Sequence, residues 1–209
     1  GTDFYTDTYF VGKQTISLII GVGALVALAV APLSLVRKHA GSILLAGLIA
    51  SVLLFLFGNV LRMESIVQCS LGACRWFELG PLGSFQPAEL LKFGVLIFLA
   101  RFMSERIREG KLNDWDDGIL PIVIMSAVVM FFVVLLQKDL GTGIALVSII
   151  SSMLLVGGVN KKIGLRLLAG LLALGVLMII IAPHRIERVK TFLAGDNLQS
   201  QQIRGDGYH

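Results

Sequence analysis

Residues 118–159 read GILPIVIMSAVVMFFVVLLQKDLGTGIALVSIISSMLLVGGV, and the only charges in that stretch are the adjacent Lys138 and Asp139. An α-helix rises about 1.5 Å per residue, so each apolar arm is long enough to cross roughly 30 Å of hydrocarbon. The two-residue polar joint leaves the arms one arrangement, a tight antiparallel hairpin. Similar runs lie on either side: 15–36, 41–61 and 87–102 before it, 163–182 after it. With 118–137 and 140–159 they make six candidate membrane spans, and an all-α polytopic helical bundle is the fold class they predict.

Composition agrees. The 209 residues are 56% hydrophobic and only 15% charged, with a mean hydropathy of +0.84. A soluble domain, a disordered chain and a coiled coil are excluded by that balance. The net charge of +4 does not indicate nucleic acid, because the Lys and Arg residues gather in short connections between apolar runs. Arg37, Lys38, Arg101, Arg106, Arg108, Lys111, Lys161, Lys162 and Arg166 fall on one side of the bundle. That asymmetry predicts a cytoplasmic location for them and an external amino end and tail. No signal peptide precedes the first run, both ends read as truncations, and 183–209 reads as the start of a large outer loop.

Four polar constellations stand out. Pro87 suits the first position of the third run's helix, placing Glu89 in its first turn, where the helix dipole favours a carboxylate. Lys92 is three residues on, on the same face. The pair reads either as an interfacial ion pair or as part of a polar cavity, and the cavity is preferred because ionisable groups within spans are costly. Asp139 is placed to cap the helix after the hairpin by accepting from amides near Gly141 and Thr142; the other reading is a carboxylate at the bundle mouth for a substrate hydroxyl or an ion. Arg185 and Arg188 follow the last run, and their forks match phosphate oxygens, with snorkelling as the alternative. In the loop before the third run, Arg75, Trp76 and Phe77 read as an interfacial belt, and Cys69 and Cys74 are able to pair in an oxidising compartment. No Ser/His/Asp arrangement supports hydrolase chemistry.

Taken in order, Cys74-Arg75-Trp76-Phe77-Glu78-Leu79-Gly80, Phe85-Gln86-Pro87-Ala88-Glu89-Leu90 with Lys92, Gln137-Lys138-Asp139-Leu140-Gly141-Thr142, Arg185-Ile186-x-Arg188-Val189 and Gly207-Tyr208-His209 resemble the SEDS family, the FtsW/RodA/SpoVE group. The resemblance covers essentially the whole chain and implies a ten-helix fold, of which these residues correspond to helices two to seven. It implies a glycosyltransferase of the bacterial cytoplasmic membrane that polymerises lipid II into glycan strands beside a class B penicillin-binding protein and other division or elongation membrane proteins.

By the same resemblance Glu89, Lys92, Gln86 and Asp139 belong to the substrate cavity, and Arg185, Arg188 and Arg75 to the lipid diphosphate. A divalent cation, Mg or Mn, is the cofactor such a leaving group would take, although no metal site is evident. The family's catalytic Asp would lie beyond His209, so no catalytic residue is assigned here and these residues alone are expected to be inactive. Lys138 departs from the family's usual Pro, and Cys74 from an Arg or small polar residue. The Arg185 to Leu193 pattern is more like FtsW, while Gly207-Tyr208-His209 is common in RodA; FtsW is preferred. A flippase for the lipid-linked precursor and a membrane scaffold, using small residues such as Gly21, Gly23 and Gly47, are the rival readings.

Overall fold

A computed structural model of the chain describes residues 7–63, 65–70, 73–80 and 83–181. Seven helices and one small sheet are present among them. α1 is Asp7–Val30 and α2 is the short Leu33–Lys38. The first apolar run, 15–36, is therefore not one helix. Pro32 has no amide hydrogen to give and disfavours helix at the residue before it, so the chain breaks at Ala31 and restarts.

α3, Ala40–Phe55, continues as a π-helical turn, Leu56–Val60. α4 is Pro87–Arg108, six residues longer than its apolar run, and Arg106 and Arg108 in its last turn complement the negative carbonyl end of the helix. α5, Leu120–Met130, lies between π-helical turns Trp115–Ile119 and Phe131–Leu136. α6 is Leu140–Val156 and α7 is Lys161–Ile181. Ala40–Val60 and Trp115–Leu136 are long and apolar enough to cross a membrane, with Gln14–Val30 and Leu140–Val156 as shorter apolar helices.

α4 is the central post. Ala88, Leu91, Val95, Leu99 and Met103 recur every three or four residues along one of its faces, and all are buried against α3, α5 and α6. In lipid, water exclusion does not drive helices together, so close van der Waals contact carries the association. Glycine makes that contact possible. A Cβ on Gly94 would lie 2.8 Å from the Leu44 Cα, and one on Gly47 would lie 2.9 Å from a Leu91 methyl. Gly47 is thus spent inside the bundle and is no partner surface, whereas Gly21 and Gly23 face open space. Large apolar side chains on α1, among them Leu18, Ile19, Leu25 and Leu28, are exposed, as expected of a lipid-facing helix in a membrane protein.

The segment between α3 and α4 holds a three-stranded antiparallel sheet that the apolar runs do not foreshadow. β1 (Val67–Ser70) pairs with β2 (Ala73–Glu78), and β2 pairs with β3 (Ser84–Phe85). Cys69 and Cys74 are opposite one another in the ladder and form a disulfide. Cys74, Val67 and Leu54 make a second small core, with Phe57 and Phe77 packed on it. The sheet is in this way seated on the end of α3 and does more than lie along a membrane surface.

At the opposite end, Glu105 accepts from Arg101 at 3.0 Å and lies 3.6 Å from Arg37. The Arg101 hydrogen bond holds the Glu105 carboxyl below its ordinary range, with the charges of Arg101 and Arg37 acting the same way. Arg101 also donates to the Arg37 carbonyl at 3.3 Å, fastening the α2–α3 corner to the end of α4.

Candidate functional site

Two helix starts come together at the sheet end of the bundle. Gln86 immediately precedes α4 and Asp139 immediately precedes α6. Asp139 caps α6 as its chemistry dictates: Oδ1 accepts from the Thr142 amide at 3.1 Å, and Oδ2 accepts from the Thr142 hydroxyl at 2.9 Å. The same Oδ2 accepts from Gln86 Nε2 at 2.8 Å. Gln86 makes no cap bond to its own helix, because its amide is turned toward the neighbouring one. The positive ends of two helix dipoles are therefore adjacent, an environment that favours negative charge.

The hairpin carrying Asp139 is held from the sheet. Arg75 on β2 donates through Nη2 to the Lys138 carbonyl at 2.7 Å and through Nε to the Gln137 carbonyl at 3.3 Å. Lys138 itself has φ of 52°, a left-handed conformation closed to proline, whose ring fixes φ near −65°. The hairpin of this chain is therefore bent in a way that a proline at position 138 would not permit.

A buried polar line runs inward from the same hairpin. Gln137, 2% exposed, donates through Nε2 to Ser51 Oγ at 3.0 Å, and Ser51 donates to the Gly47 carbonyl at 2.9 Å. Gln137 Oε1 has no partner among the described residues. Sequence reasoning does not find Ser51 and Thr142 as site residues. A small hydroxyl inside an apolar span is a weak signal, and the partner of Ser51 lies eighty-six residues away.

Glu89 and Lys92 form an ion pair of 2.7 Å on α4, one turn beyond Gln86, with side chains 51% and 26% exposed. Thus Gln86 and Asp139 touch, Arg75 clamps their hairpin, and Glu89 with Lys92 forms a separate open pair nearby. Arg185 and Arg188 lie outside the described residues.

A neighbouring apolar cavity of about 470 Å³ is lined by Met130, Leu140, Gly143, Ile144, Ser151 and Leu168 among others, between α6, α7 and the end of α5. It begins beside Asp139, at Leu140. None of Gln86, Glu89, Lys92 or Asp139 lines it.

No three His, Cys, Asp or Glu side chains gather among the described residues. Both Asp139 oxygens already accept from Thr142 or Gln86, so these residues do not compose the multidentate oxygen cage a hard divalent cation requires.

The chain matches the family model FTSW_RODA_SPOVE, described as cell cycle protein, over residues 2–209. A probable peptidoglycan glycosyltransferase FtsW from Hydrogenovibrio crunogenus is 28% identical over 190 residues, 91% of this chain and 46% of that protein. One of the same description from Saccharophagus degradans is 32% identical over 193 residues, 90% of this chain and 46% of its own length. The crystal structure of the rod shape determining protein RodA of Thermus thermophilus superposes with a TM-score of 0.62 at 28% identity, covering 79% of this chain and 49% of that one. The chain thus spans about half the length of these relatives.

Proposed function

Since the chain belongs to the FtsW/RodA/SpoVE family, we propose that its protein is a peptidoglycan glycosyltransferase that polymerises lipid II at the bacterial cytoplasmic membrane, beside a class B penicillin-binding protein and other membrane proteins of division or elongation. The observation that carries this reading is the Gln86–Asp139 junction. It sets two helix N-termini and a fixed carboxylate next to an apolar cavity, at one end of a membrane bundle. An amphiphile with an isoprenoid tail and an anionic sugar head needs both environments side by side.

In this reading the residues bind and orient. Asp139, fixed by Thr142 and Gln86, offers its remaining lone pairs to a sugar hydroxyl. Glu89 and Lys92, open to the mouth, exchange their mutual contact for contacts with the substrate head. Arg185 and Arg188, whose forks suit a diphosphate, would offset charge on the leaving group. The base that activates the acceptor hydroxyl is expected beyond His209.

The test is glycan-strand synthesis from lipid II by the intact protein and its Glu89→Ala variant. The variant is expected to remain folded and to lose polymerisation. Unchanged polymerisation removes Glu89 from the site. Transfer of the lipid-linked precursor across liposomes by a protein that makes no strands would favour the flippase instead.

A further inference from the structure

α4 and α6 start together at Gln86 and Asp139, so they run in the same direction and also end together, at the opposite face of the membrane. Between their last turns is a second groove of about 390 Å³. Ala100, Met103, Ile107 and Arg108 line it from α4 and Met153 and Val156 from α6. Spacings of three and four residues place Ala100, Met103 and Ile107 on one face of α4 and Met153 and Val156 on one face of α6, with Arg108 at the edge beside Ile107. A Cβ on Gly157 would collide with the Met103 methyl, so a glycine at this end of α6 is what lets Met103 form the groove floor.

The groove is apolar along its length and basic at its rim. Val156 is 88% exposed and Arg108 is also exposed. Arg108 differs from its neighbours in lacking a carboxylate partner among the described residues. Glu109, the nearest acid in sequence, is held by Arg106 at 2.6 Å, and Arg106 also stacks on the Phe102 ring at 5.2 Å. Asp117 is held by Lys111 at 2.8 Å. The acids on the last turns of α4, Glu105 and Glu109, are thus held by Arg101 and Arg106, which leaves the Arg108 guanidinium over an apolar trough. That combination is complementary to a phosphate attached to an acyl chain.

We infer that this groove binds an anionic phospholipid, with an acyl chain between α4 and α6 and the headgroup phosphate on Arg108. The site is at the far end of the bundle from Asp139 and is independent of the proposed glycosyltransferase activity.

The experiment is native mass spectrometry of the protein in detergent, titrated with phosphatidylglycerol and, separately, with phosphatidylethanolamine. The wild-type protein is expected to retain phosphatidylglycerol several-fold better. Arg108→Gln, a surface change, should bring phosphatidylglycerol down to the phosphatidylethanolamine level, and Ala100→Trp should exclude it by filling the groove. Lys38→Gln, a basic surface residue outside the groove, should change nothing. Equal retention of the two lipids by the wild type, undiminished phosphatidylglycerol on Arg108→Gln, or an equal loss on Lys38→Gln would each overturn the assignment.

Discussion

Gln86 and Asp139, fifty-three residues apart, are joined by a 2.8 Å hydrogen bond that links the residue before α4 to the residue before α6. Asp139 therefore has two separable duties, capping its own helix and anchoring a neighbouring one. Asp139→Ala removes both, and loss of a cap alone costs about 1 kcal/mol. Asp139→Asn keeps an oxygen for the Thr142 amide but places an NH2 where Gln86 Nε2 donates, so it should melt below wild type and above the alanine variant. If the negative charge serves substrate, the asparagine variant will nevertheless lose activity. Thermal unfolding in detergent, run beside a strand-synthesis assay, separates the two duties; equal destabilisation by Asn and Ala would mean that the capping bond contributes little to stability.

Arg75 reaches two consecutive carbonyls, at Gln137 and Lys138, with two different nitrogens. A lysine has a single ammonium and cannot span them in the same fixed geometry. Arg75→Lys and Arg75→Ala should both speed amide exchange across residues 137–143, with the core of α4 unaffected. An Arg75 committed to diphosphate alone would leave hairpin exchange unchanged in the unliganded protein. Hydrogen exchange without substrate is therefore the informative measurement.

The parts that were legible in sequence share a short physical range. Bilayer thickness fixes the length of the apolar runs, and the Asp139 cap depends only on residues three apart. The break at Pro32 follows from a local rule as well, yet the apolar run 15–36 masks it because proline is itself apolar and is tolerated within membrane helices. The sheet was not legible: β3 is two residues long, and strands so short carry almost no periodicity. Nor was the role of Arg75, because carbonyl acceptors belong to every residue and leave no mark in composition. The Ser51–Gln137 contact, eighty-six residues apart, depends wholly on how α3 packs against the α5–α6 hairpin.

Lys138 occupies left-handed backbone at φ 52°, which costs a side chain bearing a Cβ about 1 kcal/mol relative to glycine. Lys138→Gly should accordingly raise the melting temperature slightly. Lys138→Pro should lower it, since the ring would force φ through more than a right angle and displace the carbonyl that Arg75 holds. Thermal melts of the two variants check this, and a proline variant as stable as wild type would show that the turn readily adopts a second geometry.

Lys111 donates to Asp117 at 2.8 Å across the turn between α4 and α5. The Lys111 hydrogen bond and charge hold the Asp117 carboxyl below its ordinary range, and Asp117 in turn raises the Lys111 ammonium above its own. For the acid, whose folded pKa is depressed, the contribution to stability is complete above the unfolded value of about 3.9 and is lost as pH falls through the lower folded value. For the lysine, whose folded pKa is raised, it is complete below about 10.4 and is lost as pH rises through the higher folded value. The tether should therefore be intact and flat across neutral pH. The melting-temperature difference between wild type and Asp117→Asn is expected to be small, because both groups are exposed, constant between about pH 5 and 9, and smaller toward pH 3 as the wild-type carboxyl protonates. A difference that widened on acidification would reverse the sign and place the Asp117 charge in an unfavourable environment.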